Sequence, residues 1–359
     1  MIFDRSDQHQ GARLLLTLAS LVVVVYGLQF ASPILLPSAL ALFLAVLSLP
    51  VMMWLRKRGV PPGFATAGTV LFNVAVVGLL ILVASQSVSE FQSRIGVYSR
   101  ELQSLWESWV QAIETRTGVS ISAYVTTDLI DPAAVVDFVR GAVGRAAQFL
   151  GTTFLVFLIM AFMLGEASVF PDKFHYITGG GVTAGSRLTK VVTEVQTYLG
   201  IKTVVSLATG LVIAAWAAVL NLDFPVLLGL VAFMLNYVPT VGSILAAIPA
   251  LLLSLILFGT VGHAVLVGLG YVVVNTLFGN ILEPNLMGRR LGLSTLVVIL
   301  SLLFWGWVWG PLGALLSVPL TVVVKIWLEN TPDLKWVAIL LDKSPPVPEE
   351  VPAPELVGD

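Results

Sequence analysis

The sequence predicts an all-α integral membrane protein: spanning helices plus two broken re-entrant helical hairpins in an inverted repeat, with a small extracytoplasmic helical segment. Three observations carry that expectation. Of 359 residues, 57% are hydrophobic and only 11% charged, with a mean hydropathy of +0.95, whereas a soluble domain carries about 25% charge. Apolar runs of about 20 residues, the length that crosses a bilayer, recur along the chain. Two late apolar stretches, 226–258 and 294–327, are interrupted by glycine and proline, which weaken or break a helix. In lipid, such a break is tolerated only where protein or a water-filled cavity meets the freed backbone groups.

The remaining composition excludes several function classes. A net charge of −2 and a pI of about 5.9 give no basis for a nucleic-acid partner. Cysteine is absent, so disulfides and thiolate metal sites are excluded. His9, His175 and His263 are far apart, and neither a metal nor a cofactor is expected. The chain contains no HExxH, no G-x-S-x-G and no glycine-rich phosphate loop, so no catalytic residues are assigned and no enzyme is expected.

Residues 1–85 read as a scaffold of three spanning helices: Arg13 to Ser32, Pro33 to Leu55 and Phe64 to Ser85. A cleaved signal peptide is the competing reading of the first run, but Gln29-Phe30-Ala31 lacks the small upstream residue and the run is long. Arg56-Lys57-Arg58 follows the second run and marks the cytoplasmic side. Residues 86–145 carry charges of both signs, with Trp106 and Trp109 on an amphipathic period. They read as the extracytoplasmic helical segment, with a second helix after Asp131-Pro132. Residues 146–202 read as a spanning helix returning inward, followed by an amphipathic helix on the inner leaflet, 183–202.

Residues 203–258 and 261–330 read as two repeat units, each a helix plus a hairpin. Asn221-x-x-x-Pro225 corresponds to Asn280-x-x-x-Pro284, with the acids Asp223 and Glu283 inside. Phe233 precedes Gly242 by nine residues, and Phe304 precedes Gly313 by nine. The first hairpin is split at Asn236-Tyr237-Val238-Pro239-Thr240-Val241-Gly242 and again at Pro249, and the second around Gly310-Pro311. With arms of about 10 to 15 residues, neither half of the first hairpin would cross the bilayer. The cation bias puts the two units in opposite orientations, the recurring plan of secondary transporters. Residues 331–359, rich in proline and glutamate, read as a disordered tail.

Asn236, Asn275 and Asn280 are amides in apolar surroundings, expected either to bond between helices or to line a polar cavity. Asn236, Tyr237, Pro239, Thr240, Gly242, Asn275, Asn280, Gly310 and Pro311 form the expected substrate-binding set. Glu283 and Asp223 are the candidates for ion or proton coupling. In a structural role, Glu283 would pair with Arg289 or Arg290. Trp305, Trp307 and Trp309 read first as packing or an interfacial belt.

Tyr237-Val238-Pro239-Thr240-Val241-Gly242…Ile248-Pro249 resembles the I-P-x-x-G…P signature of the autoinducer-2 exporter (AI-2E) family. Asn280-x-x-Glu283-Pro284-x-x-x-Gly288, then Gly310-Pro311-x-Gly313 and Val318-Pro319-Leu320-Thr321, is similar to that family's second signature. The resemblance covers roughly residues 12–330. It implies a homo-oligomeric transporter of the inner membrane, with some members linked to export of a furanone-type quorum signal and others to sodium–proton exchange. The expectation is therefore an exporter of a small polar metabolite working by alternating access of the hairpin-bearing repeats. The alternatives are a cation–proton antiporter and a non-transporting scaffold. Expected partners are the lipid bilayer, a small polar solute or cation, and further copies of the chain. Both termini are placed in the cytoplasm.

Overall fold

The computed structural model describes residues 5–118, 153–167, 173, 176, 182–239, 241–287, 293–329 and 331–342. Among them all regular elements are helical, with one isolated β-bridge between Leu293 and Asp342. Six helices among the described residues are long and apolar enough to cross a membrane. The chain is a multi-pass membrane protein.

Helices α1 (Arg5–Phe30) and α2 (Ser32–Lys57) are nearly contiguous. Pro33 sits in the first turn of α2, where a missing backbone donor costs nothing. Just past α2, Arg58 lies over the ring of Trp54 at 4.0 Å from its centroid. Helix α3 (Pro62–Thr117) is 56 residues long, roughly 84 Å at 1.5 Å per residue. This corrects the expectation of a separate segment from residue 86. The stretch from Gln86 to Thr117 contains no proline and one glycine, Gly96, so the spanning helix simply continues past Arg94. The second helix expected after Asp131-Pro132 lies outside the described residues, as does the start of the expected 146–164 span. That span is seen as α4 (Thr153–Glu166).

Helix α5 (Val182–Val219) is one rod of 38 residues. The expected inner-leaflet helix and the next span are therefore continuous, and Gly200 does not separate them. Lys202, expected at the membrane surface, is 3% exposed. Next come α6 (Pro225–Leu235), α7 (Val241–Phe258) and α8 (Val261–Val274). Helix α8 runs on through a π-helical stretch, Asn275–Leu282, into the short α9 (Glu283–Met287). Helix α10 (Thr295–Glu329), a 3₁₀ turn (Pro332–Leu334) and α11 (Lys335–Leu341) complete the described chain. The tail expected to be disordered from 331 is thus ordered over 331–342, where Ser294 N–H donates to Leu341 O at 3.1 Å.

Both glycine- and proline-marked breaks turn the chain back on itself. Between α6 and α7, a Cβ on Gly242 would lie 1.8 Å from the carbonyl oxygen of Leu235. Only glycine lets the two helix ends approach so closely. Helix α6, at 11 residues, is about 16 Å long and too short to cross. Helix α7 is not: its 18 residues make about 27 Å. Pro249 sits inside α7 without breaking it, which corrects the expectation of two short arms.

In α10 the break is Gly310, with φ 68° and ψ −156°, a conformation open essentially to glycine alone. Ser301 Oγ donates to Ser317 O at 2.9 Å. On a straight helix those residues would stand about 24 Å apart, so the two arms of α10 lie side by side.

Packing gathers the helices into several buried clusters. Ala41, Ala45 and Met52 of α2 pack on Ala65 of α3 and Met160 and Leu164 of α4. Phe43 and Val46 of α2 also meet Tyr198 of α5 and Leu316 and Val322 of α10. The first hairpin has its own core, in which Leu228 and Ala232 meet Ala250, Leu253, Val267 and Ile213. A Cβ on Gly210 would meet Gly229 O at 2.7 Å, and one on Gly229 would meet Gly210 O at 2.5 Å. Helices α5 and α6 therefore touch backbone to backbone, as small-residue interfaces in membranes allow.

Candidate functional site

In the apolar half of α5, from Lys202 onward, the polar residues Lys202, Thr203, Ser206 and Thr209 fall on one stripe. Spacings of three and four residues put them on the face turned to the first hairpin and the π-helical stretch. Asn236, at the end of α6 and 5% exposed, donates through Nδ2 to Ser206 Oγ at 3.0 Å. Tyr237 donates to Thr203 Oγ1 at 2.8 Å. Ser243, in the first turn of α7, donates to Asn275 Oδ1 at 2.7 Å. Asn275 opens the π-helical stretch, a distortion often found at functional sites.

Below this cluster lies a buried ion pair. Lys202 Nζ meets both carboxylate oxygens of Glu283, at 2.7 and 2.8 Å. The Lys202 side chain is 3% exposed and that of Glu283 15%. Lys202 therefore holds the place expected for Arg289 or Arg290, which lie outside the described residues. A single charge in this setting would be costly, so each member fixes the other in place.

Asn236, Ser243 and Asn275 join Thr209 and Tyr271 around a small, half-open cleft. Its enclosed part holds about one water.

Of the expected binding set, the structure brings Asn236, Tyr237, Gly242 and Asn275 together at the α6–α7 turn. Pro239 is part of the same turn, its carbonyl accepting from Val241 N at 2.6 Å. Thr240 lies outside the described residues. Asn280 is exposed. Gly310 and Pro311 form a different tip, beside Trp309, whose indole donates to Leu28 O of α1 at 3.1 Å. The tryptophans act in packing: Trp305 and Trp309 are buried with ring centroids 5.1 Å apart, and Trp307 is exposed.

Asp223 stands at the other end of α5, roughly 25 Å along the helix from Lys202. It accepts from Arg94 Nη1 at 3.0 Å and from Tyr98 OH at 2.5 Å. Burial, then the bond to Asp223, pushes the Tyr98 hydroxyl up to about 12, so it stays a donor at physiological pH.

This assembly of broken hairpins and a buried polar stripe is built on a sequence pattern that runs nearly end to end: the AI-2E family transporter pattern matches residues 18–333. The chain belongs to the AI-2E transporter family. The AI-2 transport protein TqsA of Escherichia coli is 37% identical over 333 residues, covering 92% of this chain and 96% of that protein. YhhT, a putative transport protein of the same organism, is 35% identical over 337 residues, 94% and 96% of the two chains. A putative transport protein of Haemophilus influenzae is 34% identical over 341 residues, covering 92% and 96%. These AI-2E relatives carry the names of transport proteins, not of enzymes.

Sequence reasoning missed Lys202, Thr203, Ser206 and Thr209. Their signal was present as a polar stripe at i, i+1, i+4 and i+7, but the stripe straddles the boundary drawn between an amphipathic helix and a span. Ser243 and Tyr271 carried no signal, because a single hydroxyl in an apolar helix is ordinary.

Proposed function

We propose that the chain is a secondary exporter of a small polar metabolite, of the kind represented by the AI-2 quorum signal that names its relative TqsA. The observation that carries this is the polar cluster of Asn236, Tyr237 and Asn275 at a helix break, facing the α5 stripe within an otherwise apolar bundle. Alternating access would move the first hairpin and α8 against α5 and the scaffold. The two hairpins would be re-entrant from opposite faces, as an inverted repeat. The chain would sit in the inner membrane with both termini cytoplasmic, Arg56-Lys57-Arg58 marking that side. The span of α3, with 6% of its most apolar window buried, supports a homo-oligomer in which further copies or lipid cover that helix.

The test is efflux from cells lacking the chain. Deletion is expected to raise intracellular AI-2 or a related small metabolite, and re-expression to restore export. Asn236→Ala and Tyr237→Phe are expected to weaken that rescue several-fold. An unchanged metabolite profile across a broad panel would remove the proposal. The Lys202–Glu283 pair favours a second reading, cation–proton exchange coupled through Glu283. Proteoliposomes enclosing a pH-sensitive dye decide it: sodium-dependent proton flux abolished by Glu283→Gln supports exchange, and flux indifferent to that change removes it.

A further inference from the structure

Thr209 and Tyr271 are each 7% exposed, and neither hydroxyl has a hydrogen-bond partner among the described residues. Both line the cavity between α5, α6, α7 and α8. An unpartnered buried hydroxyl is costly, and these two share one cavity. The cavity's other polar residues are Asn236, Ser243 and Asn275, and the rest of its lining is alanine, valine and isoleucine. Every group there is uncharged. The nearest charges on the stripe, Lys202 and Glu283, neutralise each other and sit about 10 Å along α5 from Thr209. A charged ligand would find no counter-ion in the cavity and would bear the full cost of leaving water. A neutral one loses little and gains hydroxyl and amide partners.

We infer that Thr209 and Tyr271 form the floor of a binding site for an uncharged, hydroxyl- or carbonyl-bearing solute, which enters past Asn236 and Asn275. The ligand displaces the α6–α7 turn outward from α5, because the enclosed space as it stands holds about one water.

The cysteine-free chain allows a direct test. Thr209→Cys in the full-length protein is treated with methanethiosulfonates carrying a hydroxyethyl, a sulfonatoethyl or a trimethylammonium-ethyl group. Ser254→Cys, fully buried and away from the cavity, is the control. The hydroxyethyl reagent is expected to label position 209 about tenfold faster than either charged reagent, with position 254 left unlabelled. Equal rates for the three reagents, or no labelling at 209, would overturn the assignment.

A second measurement does not depend on reagent entry. Thr209→Val removes the hydroxyl at constant shape. If that hydroxyl serves no ligand or solvent, the melting temperature rises by several degrees, and the assignment fails. An unchanged or lower melting temperature supports it. The site rests on the transport reading for its purpose. Labelling reports the site and efflux reports transport, so each can fail without the other.

Discussion

The two hairpins share a sequence plan and differ in what they bury. In the first, the glycine nine residues after a phenylalanine, Gly242, lies against Leu235 O. In the second, the matching Gly313 would place a Cβ 2.1 Å from Trp305 O. The same glycine makes the same close approach in each. Their surroundings part from there. The tip of the first hairpin presents amides and hydroxyls to the α5 stripe. The second pairs several of its polar groups within itself: Ser301 shares a hydrogen bond with Thr321, and Trp305 Nε1 donates to Thr321 Oγ1 at 3.1 Å. It leans on α1 and α2 through Trp305, Val308 and Trp309, and Trp309 donates to Leu28 O of α1. On the proposed reading, the second hairpin is anchored to the first helices, and the first is the one that exchanges a helix for a solute.

The two acids that the sequence pairs, Glu283 and Asp223, draw the same contrast and give the largest expected effect. Glu283 faces a buried lysine, and Asp223 an exposed arginine. Glu283→Gln leaves Lys202 buried without its counter-charge and is expected to destabilise the protein by about 3–5 kcal/mol. Combining it with Lys202→Met should recover most of that loss. Asp223→Asn keeps a partner for Tyr98 and loses only an exposed contact, so its effect should be much smaller. Thermal unfolding in detergent measures all three. Equal losses at Asp223 and Glu283 would break the comparison, and a double variant no better than Glu283→Gln would show that the pair is not the cause.

The glycines sharpen it further, at about 1–3 kcal/mol each. Gly310→Ala meets nothing within 4 Å, so its cost is backbone strain alone, about 1–3 kcal/mol. That cost should change little from alanine to leucine. Gly242→Ala forces α6 and α7 apart, a loss of about 1–3 kcal/mol that should climb with side-chain volume. A series of sizes at each position, read by the yield and melting temperature of folded protein, separates the two. A steep size dependence at Gly310 would mean that its tip is packed rather than strained.

How much of this the sequence carried can be told element by element. The membrane class, the order of the spans and the two breaks follow from hydropathy and from glycine and proline, which act locally. Asn236, Gly242 and Gly310 were legible because each interrupts an otherwise apolar run. The continuity of α3 and of α5 was not, since a change from apolar to mixed composition alters what surrounds a helix without ending it. Pro249 shows the limit of reading proline as a stop: a kink can be absorbed where neighbouring helices hold the turn. The partner of Glu283 was out of reach as well. Lys202 is 81 residues away, and the cations close in sequence were the natural expectation. The π-helical stretch at Asn275–Leu282 has no compositional mark of its own.

The smallest effect concerns how each hairpin is held at its open end. An aspartate does it in both cases: Asp223 just before the first hairpin and Asp342 after the second. Asp342 Oδ2 accepts from Lys325 Nζ at 2.9 Å, while its backbone bridges to Leu293 before the other arm and Leu341 O accepts from Ser294 N. Helix α11 thereby clasps the two ends of α10. Lys325 also has Glu329 at 3.6 Å, so Asp342→Asn does not strand the lysine. The expected loss is on the order of 1 kcal/mol, and it should shrink as salt screens the exposed carboxylate. Glu329→Gln removes a second acid beside Lys325; because each acid can stand in for the other, the double variant should lose more than the sum of the two singles. Melting curves at low and high salt measure both terms. Strict additivity would mean that α11 holds the hairpin through its backbone bridge and apolar face, and that the charges contribute little to the clasp.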